Sequence, residues 1–350
     1  MVQSNLSDVL LRWFDDNQRD LPWRTTKEPY LIWLSEVILQ QTQVAQGLPY
    51  YLNFRSQFPT VFDLAKANEQ EVLKAWEGLG YYSRARNLHK TAIEVATHLE
   101  GDFPKTATGL MQLPGIGPYT ANAVASICYD EKVAVVDGNV YRVLSRYFGV
   151  SLPINESSGI NYFKTLSQEI LPDQRIGDYN QAVMEFGALI CTPKQPSCCK
   201  CPLNSSCAAL ANKEVINLPV KTNKVKVRKR YFNYLIYLDL ERKTPLNKRL
   251  EKDIWQHLYE FPLIESNGLL GVRDMRHQVS ELFKYTIQGD LSLINAKPIV
   301  HKLTHQHIFA NFWLARADQI NADFLSLEVF EKYPMPQLIV RFLKNFRTHL

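Results

Sequence analysis

Four cysteines offer the clearest chemistry in this 350-residue chain: Cys191, Cys198, Cys201 and Cys207, spaced C-x6-C-x2-C-x5-C. Thiolates set so closely, in a chain with only six cysteines, suit metal ligation by zinc or by an iron–sulfur cluster. The spacing departs from zinc-finger patterns, which pair two C-x2-4-C elements or a Cys pair with a His pair. Spacing alone leaves zinc, a cluster and unligated thiols open. A second group is the stretch LPGIGPYTA at 113–121. Gly115 and Gly117 form a tight turn, and Pro118 stands where the next helix begins and a missing N–H costs nothing. Free N–H groups at such a turn suit a phosphate. That is the pattern of a helix–hairpin–helix gripping a DNA backbone, or else of an ordinary packing hairpin.

The third group is a pair of carboxylates. Glu36 lies mid-helix in LSEVILQQT, on a face with Leu39 and Gln40 and off the main apolar stripe; Asp137 lies in VVDGNV just before a helix. Taken singly, one reads as a solvated helix residue and the other as an N-cap. Together they suit cleavage of an N-glycosidic bond. One protonated carboxyl can protonate the leaving base while an ionised one stabilises an oxocarbenium-like sugar, as in glycoside hydrolysis.

The elements that must position these groups are mostly helical up to residue 212. Apolar residues at helical spacing run through 30–38, 61–77, 85–99, 119–128, 140–148 and 179–190, punctuated by Gly101, Pro104, Pro114 and Pro172. Only VAVV at 133–136 reads as a short strand. A basic stretch at 213–228 lacks periodicity and reads as a linker. Beyond it, YFNYLIYL (231–238) and apolar runs at 254–264 and 306–316 predict an α+β domain over 229–350 with a mixed or antiparallel sheet. With 46% hydrophobic and 21% charged residues the chain has a globular composition. No run of eighteen apolar residues predicts a membrane span, and early charges argue against a signal peptide. Sparse cysteines point to a reducing cytoplasm, and the net charge of +5 is compatible with a polyanion partner.

These motifs, with Leu21-Pro22-Trp23-Arg24, SEVILQQTQV (35–44), GLGYYSRARNLH (78–89), VDGNVYRVLSR (136–146) and NQAVMEFGALIC (180–191), run in one collinear order. The set resembles the MutY family, the adenine DNA glycosylases of the endonuclease III superfamily. The resemblance implies a mainly α N-terminal region, a six-helix barrel with the helix–hairpin–helix plus a [4Fe-4S] module, joined to an α+β Nudix-like C-terminal domain. Barrel core falls at about 23–132 and cluster module at about 1–22 and 133–212. It makes Cys191, Cys198, Cys201 and Cys207 the ligands of a [4Fe-4S] cluster. It implies Glu36 as the general acid toward adenine N7, Asp137 as the carboxylate facing the sugar cation, and Tyr119 and Asn139 as residues holding that site. Trp23, Arg24, Leu39 and Glu185 would wall the adenine pocket, with Glu185 accepting from an exocyclic amine. Gln41, Thr42, Leu79 and Tyr81 would surround the orphaned partner base, Tyr81 as a wedge, while Gly115 and Gly117 would meet the backbone.

Toward the C-terminus, Trp255 and the run Leu258 to Pro262 resemble the family's Nudix-like domain. KLTHQHI (302–308) resembles its 8-oxoguanine probing loop, with Leu303-Thr304-His305 where Phe-Ser-His is common. The Nudix catalytic glutamate box is absent from the sequence, so no pyrophosphohydrolase is expected. Lyase relatives carry a lysine where this chain has Tyr119, and a phenol cannot form a Schiff base. The resemblance thus implies a monofunctional enzyme excising adenine opposite 8-oxoguanine or guanine from double-stranded DNA. It would act as a monomer at the nucleoid of a bacterial cytoplasm. A damage-locating binder without catalysis is the competing reading.

Overall fold

Local chemistry sets where the helices start. Pro29 at the first helical position and Glu28, whose carboxylate accepts from Tyr30 N and Leu31 N, begin α2 (Pro29–Leu39). A computed structural model describes residues 2–222, 227–283, 287, 289–316 and 323–346. Before α2 comes α1 (Val2–Asn17); after it run α3 (Val44–Gln57), α4 (Val61–Lys66), α5 (Glu69–Ala75), α6 (Ser83–His98), α7 (Ala107–Leu110), α8 (Pro118–Tyr129), α9 (Gly138–Phe148), α10 (Ser157–Glu169), α11 (Ile176–Leu189) and α12 (Ala208–Ala211).

Three details differ from the sequence expectations. The stripe at 61–77 is two helices, because Asn68 and Glu71 form a reciprocal capping box that starts α5 afresh. Residues 133–136 form no strand. Side-chain amides replace a partner strand there: Gln168 Oε1 accepts from Ala134 N at 3.0 Å, Asn180 Oδ1 from Val135 N at 3.1 Å, and Asn122 Nδ2 donates to Ala134 O at 2.7 Å. The basic stretch is bound along its first part: Leu218 is buried, Leu218 O accepts from Arg146 Nε and Val220 O from Ile154 N. Residues 223–226 lie outside the described residues, and Arg228 already belongs to a strand.

The chain divides into two compact units, Met1–Lys66 with Asn87–Asn223, and Ala67–Arg86 with Lys224–Leu350. In the first, α11 packs against α1, α8 and α9. Leu10 and Phe14 of α1, Val143 and Leu144 of α9, Phe163 of α10 and Phe186 of α11 share one buried cluster. Each such side chain contributes about 1.5–3 kcal/mol of burial. This cluster joins the chain's start to its 134–203 region, and Cys191, Cys201 and Cys207 pack on its edge.

The second unit holds β1 (Arg228–Leu238), β2 (Lys243–Thr244), β3 (Asn247–Lys248), β4 (Tyr259–Glu260), β5 (Leu263–Ser266), α13 (Val272–Phe283), β6 (Ser292–Leu293), β7 (Ile299–Lys302), β8 (Gln306–Arg316), β9 (Leu325–Ser326) and α14 (Gln337–Phe346). The main sheet is mixed, with β1 and β8 parallel from Arg228↔Gln306 to Leu238↔Arg316 and β5, β6 and β7 antiparallel to their neighbours. Strand alternation covers both faces. Tyr234 stacks on Phe312 and Phe312 on Phe342 of α14, whereas Leu235 and Trp313 pack with Met275 and Val279 of α13. Residues 67–86 join this unit through Glu69–His257 (2.7 Å), Gln70–Tyr259 (3.1 Å) and Arg86–Gln256 O (2.8 Å).

Candidate active site

Glu36 does not face solvent. Residues 32–38 of α2 are all buried, so Glu36 is not the solvated helix residue it would be taken singly, and it lines one cavity with Leu39 and Gln40. Its carboxyl borders a cavity of about 1220 Å³ in the first unit, and so do Asp137, Tyr119 and Asn139. Burial pushes Glu36 up to about 7; the charge of Asp137 raises it further, while a hydrogen bond from Tyr119 and the charge of Arg24 oppose the rise. The Tyr119 phenol is itself driven well above its ordinary range by burial. Its hydroxyl lies 3.5 Å from Met184 Sδ.

Asp137 is an N-cap and a cavity residue at once. Oδ1 accepts from Asn139 N and Val140 N at 2.8 Å each, and Oδ2 accepts from Asn139 Nδ2 at 2.7 Å. Burial raises its carboxyl, and these three donors oppose that by favouring the charged form. Arg142, which sequence reasoning missed, holds Asn139 in place. Its Nη2 donates to Asn139 Oδ1 and Gly187 O at 2.8 Å each, and its Nε donates to Cys191 O at 2.6 Å. Only the tertiary structure brings residues 139, 187 and 191 to one guanidinium.

Trp23, Arg24, Leu39, Glu185, Gln41, Thr42, Gly115 and Gly117 border the same cavity. The role expected of Glu185 is corrected. It accepts from Arg19 N (3.1 Å), Arg19 Nε (2.7 Å), Arg19 Nη2 (2.6 Å) and Arg24 Nη2 (3.0 Å). A carboxylate has about four acceptor positions, so none is left for an exocyclic amine. Hydrogen bonds and charge from the two arginines hold it below the usual range against its burial. Glu185 instead anchors Arg24, whose guanidinium lies 4.9 Å from the Phe14 ring and whose Nε and Nη1 are buried without a hydrogen-bond partner. Arg19 is the second residue missed, because its partner lies 166 residues away.

The hairpin runs from α7 through Gly115 and Gly117 to α8. Gly115 has φ +71° and a Cβ there would stand 2.5 Å from the Asn87 Cβ, whereas a Cβ on Gly117 would meet nothing within 4 Å. Gly115→Ala should therefore cost about 1–3 kcal/mol and Gly117→Ala within about 0.5 kcal/mol of nothing. Urea unfolding of the two variants checks the contrast; equal effects would refute it.

Cys191, Cys198, Cys201 and Cys207 border one small cavity, with Arg146 beside them. Arg146 Nη1 lies 3.4 Å from Cys191 Sγ and also donates to Thr192 O at 2.7 Å. Four soft sulfur donors fit zinc or an iron–sulfur cluster by type. Among the described residues no three His, Cys, Asp or Glu side chains are drawn together to hold a single ion.

Leu79, Tyr81, Thr304 and His305 belong to the second unit and do not border the cavity of Glu36. Leu79 is buried, so its side chain packs inward instead of being presented. Tyr81 is 47% exposed, while its neighbour Tyr82 is buried. Thr304 and His305 are exposed in the turn between β7 and β8.

A hairpin-bearing helical core with a buried acid facing a capped carboxylate belongs to the base excision glycosylases. Residues 34–157 match the HhH-GPD superfamily base excision DNA repair protein, and residues 233–345 match the NUDIX domain. The adenine DNA glycosylase of Buchnera aphidicola from Schizaphis graminum is 37% identical over 257 residues, 73% of this chain and 74% of the relative. That of Buchnera aphidicola from Acyrthosiphon pisum is 30% identical over all of both chains. A thermostable thymine-DNA glycosylase structure superposes with a TM-score of 0.55 at 30% identity, over 60% of this chain and 97% of that one. The chain belongs to the adenine DNA glycosylase family. Among the described residues no helix is long and apolar enough to cross a membrane.

Proposed function

We propose that this protein removes adenine mispaired with 8-oxoguanine or guanine in double-stranded DNA, by flipping the base and hydrolysing its N-glycosidic bond. It is a DNA glycosylase of base excision repair. The observation carrying the mechanism is Glu36, pushed up to about 7 and bordering one cavity with Asp137. Half protonated near neutral pH, Glu36 gives its proton to adenine N7. The C1′–N9 bond then breaks and its electron pair leaves with the base. Asp137, whose three donors favour its charged form against its burial, stabilises the sugar cation and takes the proton of the water that adds to C1′. Tyr119 and Asn139 orient the two carboxylates, and Trp23, Arg24, Leu39 and Glu185 wall the base pocket.

The hairpin at Gly115 and Gly117 receives a backbone phosphate, and Gln41 and Thr42 face the partner base; in the second unit Tyr81 is the wedge. Cys191, Cys198, Cys201 and Cys207 would hold a [4Fe-4S] cluster, which would cross-link the segment 191–207, with Arg146 beside it. Residues 229–350 form the recognition domain, with Thr304 and His305 on its probing loop. The protein works as a monomer in the bacterial cytoplasm.

Single-turnover excision on a duplex with adenine opposite 8-oxoguanine, run with and without alkali, tests this reading. Strand breaks should appear only after alkali, since the Tyr119 phenol cannot form a Schiff base. Breaks without alkali, or no product at all, would overturn it.

A further inference from the structure

Tyr81 stands in a backbone conformation that a bulky residue rarely adopts, with φ +48° in a turn that also has Gly78 at +103° and Gly80 at +78°. The turn is built to hold it there. Trp76 Nε1 donates to Gly80 O at 3.0 Å, and Arg84 Nη2 donates to the same carbonyl at 3.2 Å. The Arg84 guanidinium lies 5.1 Å from the Trp76 ring and 5.8 Å from the Tyr81 ring. The Tyr82 hydroxyl donates to Met335 O at 3.4 Å, tying the turn to the body of the second unit. At the tip, the Tyr81 hydroxyl meets Thr304 Oγ1 at 2.5 Å.

That last hydrogen bond joins two loops that are 223 residues apart in sequence, and both partners are exposed. An exposed hydroxyl pair contributes little to folding, because water can replace either partner. A strained aromatic whose free end is pinned by another loop is instead a preorganised contact.

We propose that Thr304 is a positioning residue for Tyr81: the hydroxyl bond couples the probing loop to the wedge turn before DNA is met, so that the two engage a mispair as one unit. The inference rests on the reading of Tyr81 and Thr304 as lesion-side residues given above. Serine can make the same bond, whereas valine keeps the shape of threonine and loses it. Phenylalanine at 81 keeps the wedge and removes only its hydroxyl.

The test is a double-mutant cycle with Y81F, T304V, Y81F/T304V and T304S. Each is assayed for Kd and single-turnover excision on adenine opposite 8-oxoguanine and opposite guanine. A 2-aminopurine beside the mispair reports insertion into the stack. Y81F and T304V should each weaken binding of the 8-oxoguanine duplex by about three- to tenfold and lower the insertion signal. The double variant should be no worse than either single one, and T304S should restore both readouts. Losses that multiply in the double variant, or a T304S that behaves like T304V, would overturn the coupling. Failure of the unmodified protein to excise adenine opposite 8-oxoguanine would instead overturn the functional reading beneath it.

Discussion

Glu36→Gln should lower single-turnover excision of adenine by about 10²–10⁴-fold, the usual contribution of a general acid, while leaving duplex binding intact. Glutamine keeps the shape and a hydrogen-bonding oxygen for Tyr119 but has no proton to give. The pH profile carries the same argument. An ordinary glutamic acid at 4.5 would be protonated in about one molecule in 300 at pH 7. With its carboxyl raised to about 7, Glu36 is protonated in roughly half. Excision should therefore fall with rising pH through 7, about tenfold per unit above 8, and fall again toward acid as Asp137, whose carboxyl burial raises, takes up a proton. A rate that keeps rising through this window would sink Glu36 as the acid.

Stability moves with the same proton. The folded state holds it up to about 7 and the unfolded chain only to about 4.5, so the folded protein binds more protons between those values. The contribution is fully present below 4.5 and lost as pH rises through 7. Relative to Glu36→Gln, the unmodified protein should lose on the order of 3 kcal/mol between pH 4.5 and 8. Taking the difference between the two proteins removes Glu260, whose buried carboxyl is also raised to about 7. Urea unfolding at several pH values gives that difference directly.

Asp137→Asn should lower excision by about 10²–10³-fold, the scale of losing one preorganised charge at a developing cation. Its effect on folding should be small by comparison. Asparagine caps a helix as well as aspartate does, and its oxygen can still accept from Asn139 N and Val140 N. The cost lies at the other atom. A new amide N–H2 would face Asn139 Nδ2, which cannot turn freely because Asn139 Oδ1 is committed to Arg142 Nη2. That donor–donor contact should cost about 1–3 kcal/mol of stability. The diagnostic result is a large catalytic loss with a modest shift in unfolding midpoint. A proportionate loss of both would reduce Asp137 to a cap, the role its place before α9 would have by itself.

Much of the site was legible before any fold was known. The chemistry of Glu36 and Asp137, the hairpin of Gly115 and Gly117, and the four cysteines are all carried by residue type and short spacing, which local physics preserves. The helix start at Pro118 follows from proline's missing N–H and fixed φ, and holds in the structure. What failed to show in the sequence depended on partners far along the chain. Taken singly, Glu36 reads as a solvated mid-helix residue; its burial beside the cavity, which raises its carboxyl, is a property of the tertiary packing. Residues 133–136 alternate like a strand, yet amides from 122, 168 and 180 take their hydrogen bonds.

The sequence by itself determined which groups can donate a proton, carry a charge, bind a soft metal or turn a chain, since these are properties of side chains and of a few neighbouring dihedrals. Tertiary structure alone decided their states. It engaged Glu185 with Arg19 and Arg24 and set Arg142 between Asn139 and Cys191. It also joined Tyr81 to Thr304 across 223 residues. Desolvation and hydrogen-bond saturation are set by what surrounds a group in space, and no local spacing encodes them.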